Sequence, residues 1–237
     1  MSFNVLAQDE SSVEIQKVQV EPSYVETVKT DARFQLKPYL ERRGKWGSTL
    51  SLAYSAYAPE NLESSYVAIG IAQIYQKPTA PMIELQGTFK RNTPIGSLGA
   101  ELGFGYFSSG SNDTTVADST IEFKMLRMGV TASLDTLYKE PFIVPYGSAG
   151  LYTIYFTETQ GDLSFIGNTQ VAPYLSAGAM FLLDWLDRDA ARISYEDTGT
   201  QSSFLFGEIR TMMASGAEQD PDFSSAWHWN AGVRVEF

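Results

Sequence analysis

The side chains able to do chemistry in this sequence are charged groups at alternate positions in separate stretches of chain. Glu84 and Lys90 lie in "MIELQGTFKRN", Glu101 in "GSLGAELGFGYF" and Arg127 in "KMLRMGVTASL". Glu208 and Arg210 lie in "SFLFGEIRTMM", and Arg234 and Glu236 in the closing "WHWNAGVRVEF". Each sits on the polar side of a run whose other side is apolar. Four carboxylates thus meet four cations, and matched charges turned into a narrow interior form ion pairs, because an unpaired buried charge is costly. Nucleophilic chemistry is poorly provided for. The sequence holds a single histidine, His228, with Ser224 and Ser225 on the same stretch, and a hydrolase needs a nucleophile with an oriented base. Asp184, Asp187 and Asp189 invite a metal, but they do not share one face of a helix, so a solvated helix start is the better reading. No catalytic residue, metal or cofactor is expected.

The elements that position these charges are strands. In the last stretch Trp227, Trp229, Ala231, Val233, Val235 and Phe237 alternate with His228, Asn230, Gly232, Arg234 and Glu236, the period of a two-faced strand. The same alternation runs through "STLSLAYSAYA", the stretches above, "PFIVPYGSAGLYTIYF" and "VAPYLSAGAMF". Each is long enough to cross a bilayer as a tilted strand. A soluble barrel would turn its Leu and Val inward. Here the charged face is the one that can be neutralised internally, so the apolar face must meet lipid.

Connections alternate between short ("RNTP", "DTLYKEP") and long polar ones ("SSGSNDTTVADS", "TETQGDLSFIGN", "SGAEQDPD"), the habit of an outer-membrane barrel. The reading is an all-β, transmembrane, antiparallel up-and-down barrel of 8 strands over residues 47–237. A long first external loop covers 59–81, and a periplasmic tail covers 1–46. If 32–42 and 65–75 are also strands, the count becomes 10. One segment, "LLDWLDRDAARISYEDTG", has helical spacing: Leu182, Leu183, Leu186, Ala190 and Ile193, with Trp185 on its flank. It is expected as an amphipathic helix at the periplasmic end between strands 6 and 7. There it would lie on the inner leaflet or cover the barrel floor. Trp227 and Trp229 are expected in the outer aromatic girdle, roughly 20–25 Å from Phe237 at about 2.4 Å of rise per tilted residue.

Composition narrows the compartment. The 237 residues hold 28 acidic against 17 basic side chains, a net charge of -11, and no cysteine. That excludes disulfides and thiol chemistry and argues against nucleic acid, which requires clustered Lys and Arg. No run is apolar enough for a transmembrane helix. "MSFNVLAQDE" lacks the basic start and apolar core of a signal peptide. Either the protein is cytosolic or Met1 stands in place of a removed leader, and the strand pattern favours the second and the bacterial outer membrane.

The final octet, with Asn230, Gly232, Val235 and Phe237, resembles the carboxy-terminal signal read by the barrel-assembly machinery. Together with it, "KPYLERRGKWG", "GSLGAELGFGY", "PFIVPYGSAGLY", "FLLDWLDRDAA" and "SFLFGE" resemble a PopA-like family of outer-membrane barrels from Bdellovibrio and related predatory, δ-type bacteria. The resemblance implies an OmpA-like barrel that self-associates into a homo-oligomeric ring holding membrane lipid. Competing functions are a small-solute porin, loop-mediated attachment and a lipid-modifying hydrolase. About eight strands leave too little room for a channel, since open ones need about sixteen.

Overall fold

The computed structural model describes residues 36–59, 61–66, 70, 74–75, 79–111, 119–218 and 220–237. Period-two alternation becomes nine strands: β1 (Trp46–Tyr57), β2 (Ala80–Thr93), β3 (Gly96–Gly110), β4 (Ser119–Ser133), β5 (Ile143–Gln160), β6 (Leu163–Asn168), β7 (Ala172–Leu182), β8 (Ser202–Met212) and β9 (Ser225–Glu236). Eight of them close an antiparallel ring in the order β1-β2-β3-β4-β5-β7-β8-β9. The seam is β1 against β9, from Thr49↔Glu236 to Ser55↔Asn230. This is the eight-stranded up-and-down barrel of transmembrane type.

Its polarity is inverted relative to a soluble barrel. Leu102, Val130 and Val233 point outward and are 56%, 58% and 47% exposed, whereas Glu84, Glu101, Arg127 and Arg210 are buried inside. The start of β1, the end of β9, the β2–β3 turn, the β4–β5 loop and the β7–β8 connection lie at one end, here the terminal end. The opposite end, where β1 ends and β2 begins and which the β5–β6 pairing extends, is the loop end.

Three expectations change. "TETQGDLSFIGN" is a hairpin rather than a loop: β5 continues to Gln160 and β6 folds back along it, from Tyr155↔Asn168 to Gln160↔Leu163. Its alternating Thr, Glu, Phe and Ile residues carry the strand period past the ring. The helix is shorter than its spacing suggests. It spans Arg188–Thr198 (α2), so Leu182, Leu183, Trp185 and Leu186 precede it. Leu182 instead completes the inward face of β7, fully buried, and the Leu183 N–H bonds to Ser203 O at 2.8 Å. Asp187 is the N-cap, accepting the Ala190 N–H at 2.9 Å. Gly199 ends the helix at φ +74, a left-handed value that suits glycine. α2 does lie between the sixth and seventh strands of the ring, but buries no residue and so does not cover the floor.

The floor is closed by part of the segment read as tail or extra strand. Residues Tyr39–Arg42 form a single helical turn (α1), with Tyr39 fully buried. This removes 39–42 from the strands of the ten-strand alternative; 32–35 lie outside the described residues. Of 65–75, residues 67–69 and 71–73 are also outside, and among those described the only pairing is a Glu63↔Gly70 bridge.

Candidate functional site

The chemistry lies in the lumen, which is filled in three tiers. At the terminal end Tyr39, Val144, Met180, Leu182, Phe204 and Phe206 form an apolar cluster. At the loop end a larger cluster includes Tyr57, Ile74, Phe107, Phe123, Phe156 and Phe223. Between them lie the charges.

Glu84 is the centre of the charged tier. Arg210 Nη1 donates to both of its oxygens, at 2.7 and 2.9 Å, and Arg127 Nη2 donates to Oε2 at 2.8 Å. Arg210 reaches Glu208 with its other amine. Arg127 lies 3.5 Å from Glu101, which also accepts from Gln86 Nε2 at 2.9 Å and from the Tyr174 hydroxyl. Glu208 accepts the Tyr146 hydroxyl at 2.8 Å and Asn230 Nδ2 at 3.2 Å. Seven strands supply these groups, β2 and β8 with two inward residues each, so no single stretch of sequence carries the site.

A second group sits nearer the floor. Lys90 Nζ is 2.8 Å from Glu236 and 3.5 Å from Asp135. Arg43 pairs with Asp135 at 2.7 Å, and Arg42 with Asp184 at 3.0 Å. Arg234 stands apart: its Nε donates to Ser51 Oγ at 2.7 Å, and its guanidinium lies 5.0 and 4.9 Å from the Tyr146 and Phe206 rings. All eight alternation-derived charges face the lumen. Tyr39, Arg42, Arg43 and Asp135 were missed because they belong to connections, where no period operates; Asp184, expected at a solvated helix start, is instead buried against Arg42 ahead of the helix. Glu158 was missed because its stretch was read as a loop, although it shares the inward parity of Ile154 and Phe156. It is buried and accepts Ser64 Oγ at 2.6 Å, the Ser65 N–H at 2.7 Å and the Tyr75 hydroxyl at 3.4 Å. Burial, with the Glu158 carboxylate adjoining, pushes the Tyr75 phenol up, so it remains a donor.

His228 faces inward with its Nδ1 3.0 Å from Ser225 Oγ and its ring edge-on to Tyr57 at 5.5 Å. Among the described residues no carboxylate accepts a hydrogen bond from it. Ser224 instead donates its N–H to Asp222 at 2.9 Å. The His228 and Ser225 side chains are buried, and the His228 ring packs on Tyr57 of the loop-end cluster. Asp184 is engaged by Arg42 and the Ser203 N–H, and Asp187 by its cap. Among the described residues no group of three or more His, Asp or Glu could hold a metal ion.

The remaining predicted residues are dispersed. Trp227 and Trp229 point outward and half-exposed near the loop end, Trp229 against Tyr54 at 5.5 Å. Trp46 stacks on Phe89 at 5.2 Å near the terminal end. Asn230 is in the lumen, Val235 and Phe237 lie outside, and Gly232 faces inward at the seam. A Cβ on Gly232 would fall 2.1 Å from Leu52 O, so glycine allows β1 and β9 to close.

No family model matches the chain and no curated protein matches it. Among solved structures it is similar to Ail, the attachment invasion locus protein of Yersinia pestis, at TM-score 0.44 and 12% identity over 82% of this chain and 99% of that one. It is also similar to Neisserial surface protein A at TM-score 0.44 and 11% identity, over 82% and 98% of the two chains.

Proposed function

We propose that this chain is a non-enzymatic barrel of the bacterial outer membrane that organises the membrane itself, as a homo-oligomeric ring holding lipid. One observation carries the reading: the lumen is filled from floor to mouth. Among the described residues an apolar cluster closes each end and a largely paired ionic tier lies between, which favours neither a conduit nor a nucleophilic site. What remains for function is the outside, an apolar belt whose favourable surroundings are acyl chains or another barrel's belt. In this reading the terminal end faces the periplasm. The seam residues Asn230 and Gly232, with Val235 and Phe237, then present the last strand to the assembly machinery.

Native mass spectrometry from mild detergent tests this directly. The expected result is a multiple of the 26.2 kDa subunit with lipid retained; a lipid-free monomer from intact membranes sinks it. In planar bilayers the purified protein should show no single-channel steps, and regular conductance would establish the porin alternative.

Loop-mediated attachment is supported by the β5–β6 hairpin, which rises past the ring with Leu163, Phe165 and Ile166 62%, 44% and 76% exposed. Deleting 161–166 should abolish binding to a partner cell surface under this reading, and leave ring assembly intact.

A further inference from the structure

Among the described residues, Arg234 is the one lumen cation that meets no carboxylate; Lys90, Arg127, Arg210, Arg42 and Arg43 are all ion-paired. It is 5% exposed. Its partners are a serine oxygen, the Met180 sulfur at 3.2 Å and two aromatic faces. These are weak compensation for a desolvated charge.

Beside it lies a cavity of about 20 Å³ lined by Thr49, Thr88, Lys90, Thr131, Arg234 and Glu236, among others. Thr49 and Thr88 face each other directly across β1 and β2. Both hydroxyls are buried without a hydrogen-bond partner. Such orphaned groups around a void normally mark an occupant, and this volume admits one particle about the size of a water molecule. The charge decides which. Lys90 and Arg234 contribute two positive charges to the lining. The single carboxylate, Glu236, is already engaged by Lys90 at 2.8 Å and by the Tyr39 hydroxyl at 3.1 Å. The lining therefore carries one net positive charge. A water molecule would satisfy the two hydroxyls and leave the guanidinium uncompensated, whereas a monatomic anion answers all three.

We propose that the lumen holds a small monatomic anion of the halide class, bound between the Arg234 guanidinium and the hydroxyls of Thr49 and Thr88. This site neither depends on the membrane-organising role nor follows from it.

Crystals of the full chain in sodium bromide provide the test. An anomalous bromide peak in the cavity is expected, with its loss in Arg234→Met. A parallel measurement in detergent compares thermal unfolding in bromide and in isethionate, an anion too large for the void, at equal ionic strength. Bromide should raise the midpoint saturably and isethionate should not. In Thr49→Val/Thr88→Val, which keeps the cation, apparent bromide affinity should fall about tenfold. The double variant carries the test if Arg234→Met does not fold. Water density without an anomalous peak, equal midpoint shifts in both salts, or unaltered bromide binding in the double variant would each overturn the proposal.

Discussion

Tyr39 places its hydroxyl 3.1 Å from a carboxylate oxygen of Glu236, 197 residues further along the chain. The same phenol lies 3.3 Å from Asp135 and from Lys90 Nζ. One aromatic residue from a segment outside the strands thus closes the barrel floor and satisfies the charges that close the seam.

Removing only that hydroxyl should be mild, because Lys90 and Arg43 still neutralise both acids. Tyr39→Phe is expected to lower stability by about 1 kcal/mol. Tyr39→Ala, which empties the floor, should cost about 3–5 kcal/mol. Urea unfolding in lipid vesicles checks the ranking; equal midpoints for the two variants would show that the ring does not fill the floor.

Glu84 should be the most sensitive charge in the lumen. Glu84→Gln leaves Arg127 and Arg210 sharing too few carboxylates, and breaking a buried pair in this way costs about 3–5 kcal/mol. Glu101→Gln should cost less, since its contact with Arg127 is 3.5 Å and the amide still accepts from Tyr174. Comparing the two unfolding free energies in one detergent decides it.

The belt predicts position-dependent tolerance of charge. Leu102→Arg, in mid-belt, should destabilise the barrel by about 2–4 kcal/mol in bilayers. Ile166→Arg, on the hairpin beyond the ring, should stay within about 0.5 kcal/mol. If both are tolerated alike, the outer face does not meet lipid at mid-height.

Gly232 and Phe237 both lie in the closing octet but act differently in the fold. Gly232→Ala should slow refolding in detergent without any assembly factor, because its methyl would press on the Leu52 carbonyl. Phe237→Ala should leave that rate unchanged, since its seam bonds to Ser48 are made by backbone. Stopped-flow fluorescence gives both rates.

Acid should loosen the loop end. Partial burial pushes the Asp222 carboxyl up, but donors from Ser224 and Asn61 outweigh it and hold the group below the ordinary carboxylate value. A depressed carboxyl contributes stability that is complete above its unfolded pKa and fades as pH falls through the folded one. The contact between Asn61 and Asp222, 2.9 Å long, should therefore open in acid below the ordinary Asp range. The protection factor of the Ser224 amide, which removes the intrinsic pH dependence of exchange, should fall there in the wild type and stay constant in Asp222→Asn.

The barrel was legible in the sequence because one physical rule applies to every strand: side chains alternate sides. A two-residue period is local, so it reports which groups face inward without knowledge of what they meet. That sufficed for eight strands, the outward belt and the eight lumen charges. It failed where local signals compete. Leu182 and Leu183 have helical spacing to Leu186, yet burial at the end of β7 outweighs it, and the helix waits for Asp187 to cap it.

Which charge meets which was beyond the sequence. Glu84 finds Arg210 across 126 residues because closure of the ring brings strands 2 and 8 of the chain to the same lumen height. Neither residue's neighbours record that height. The floor likewise depends on Tyr39, whose surroundings show no period, and the unpaired state of Arg234 appears only when every other carboxylate has been assigned. Facing is a property of the strand; partnership is a property of the closed ring, since only closure sets the distances over which charges are compensated.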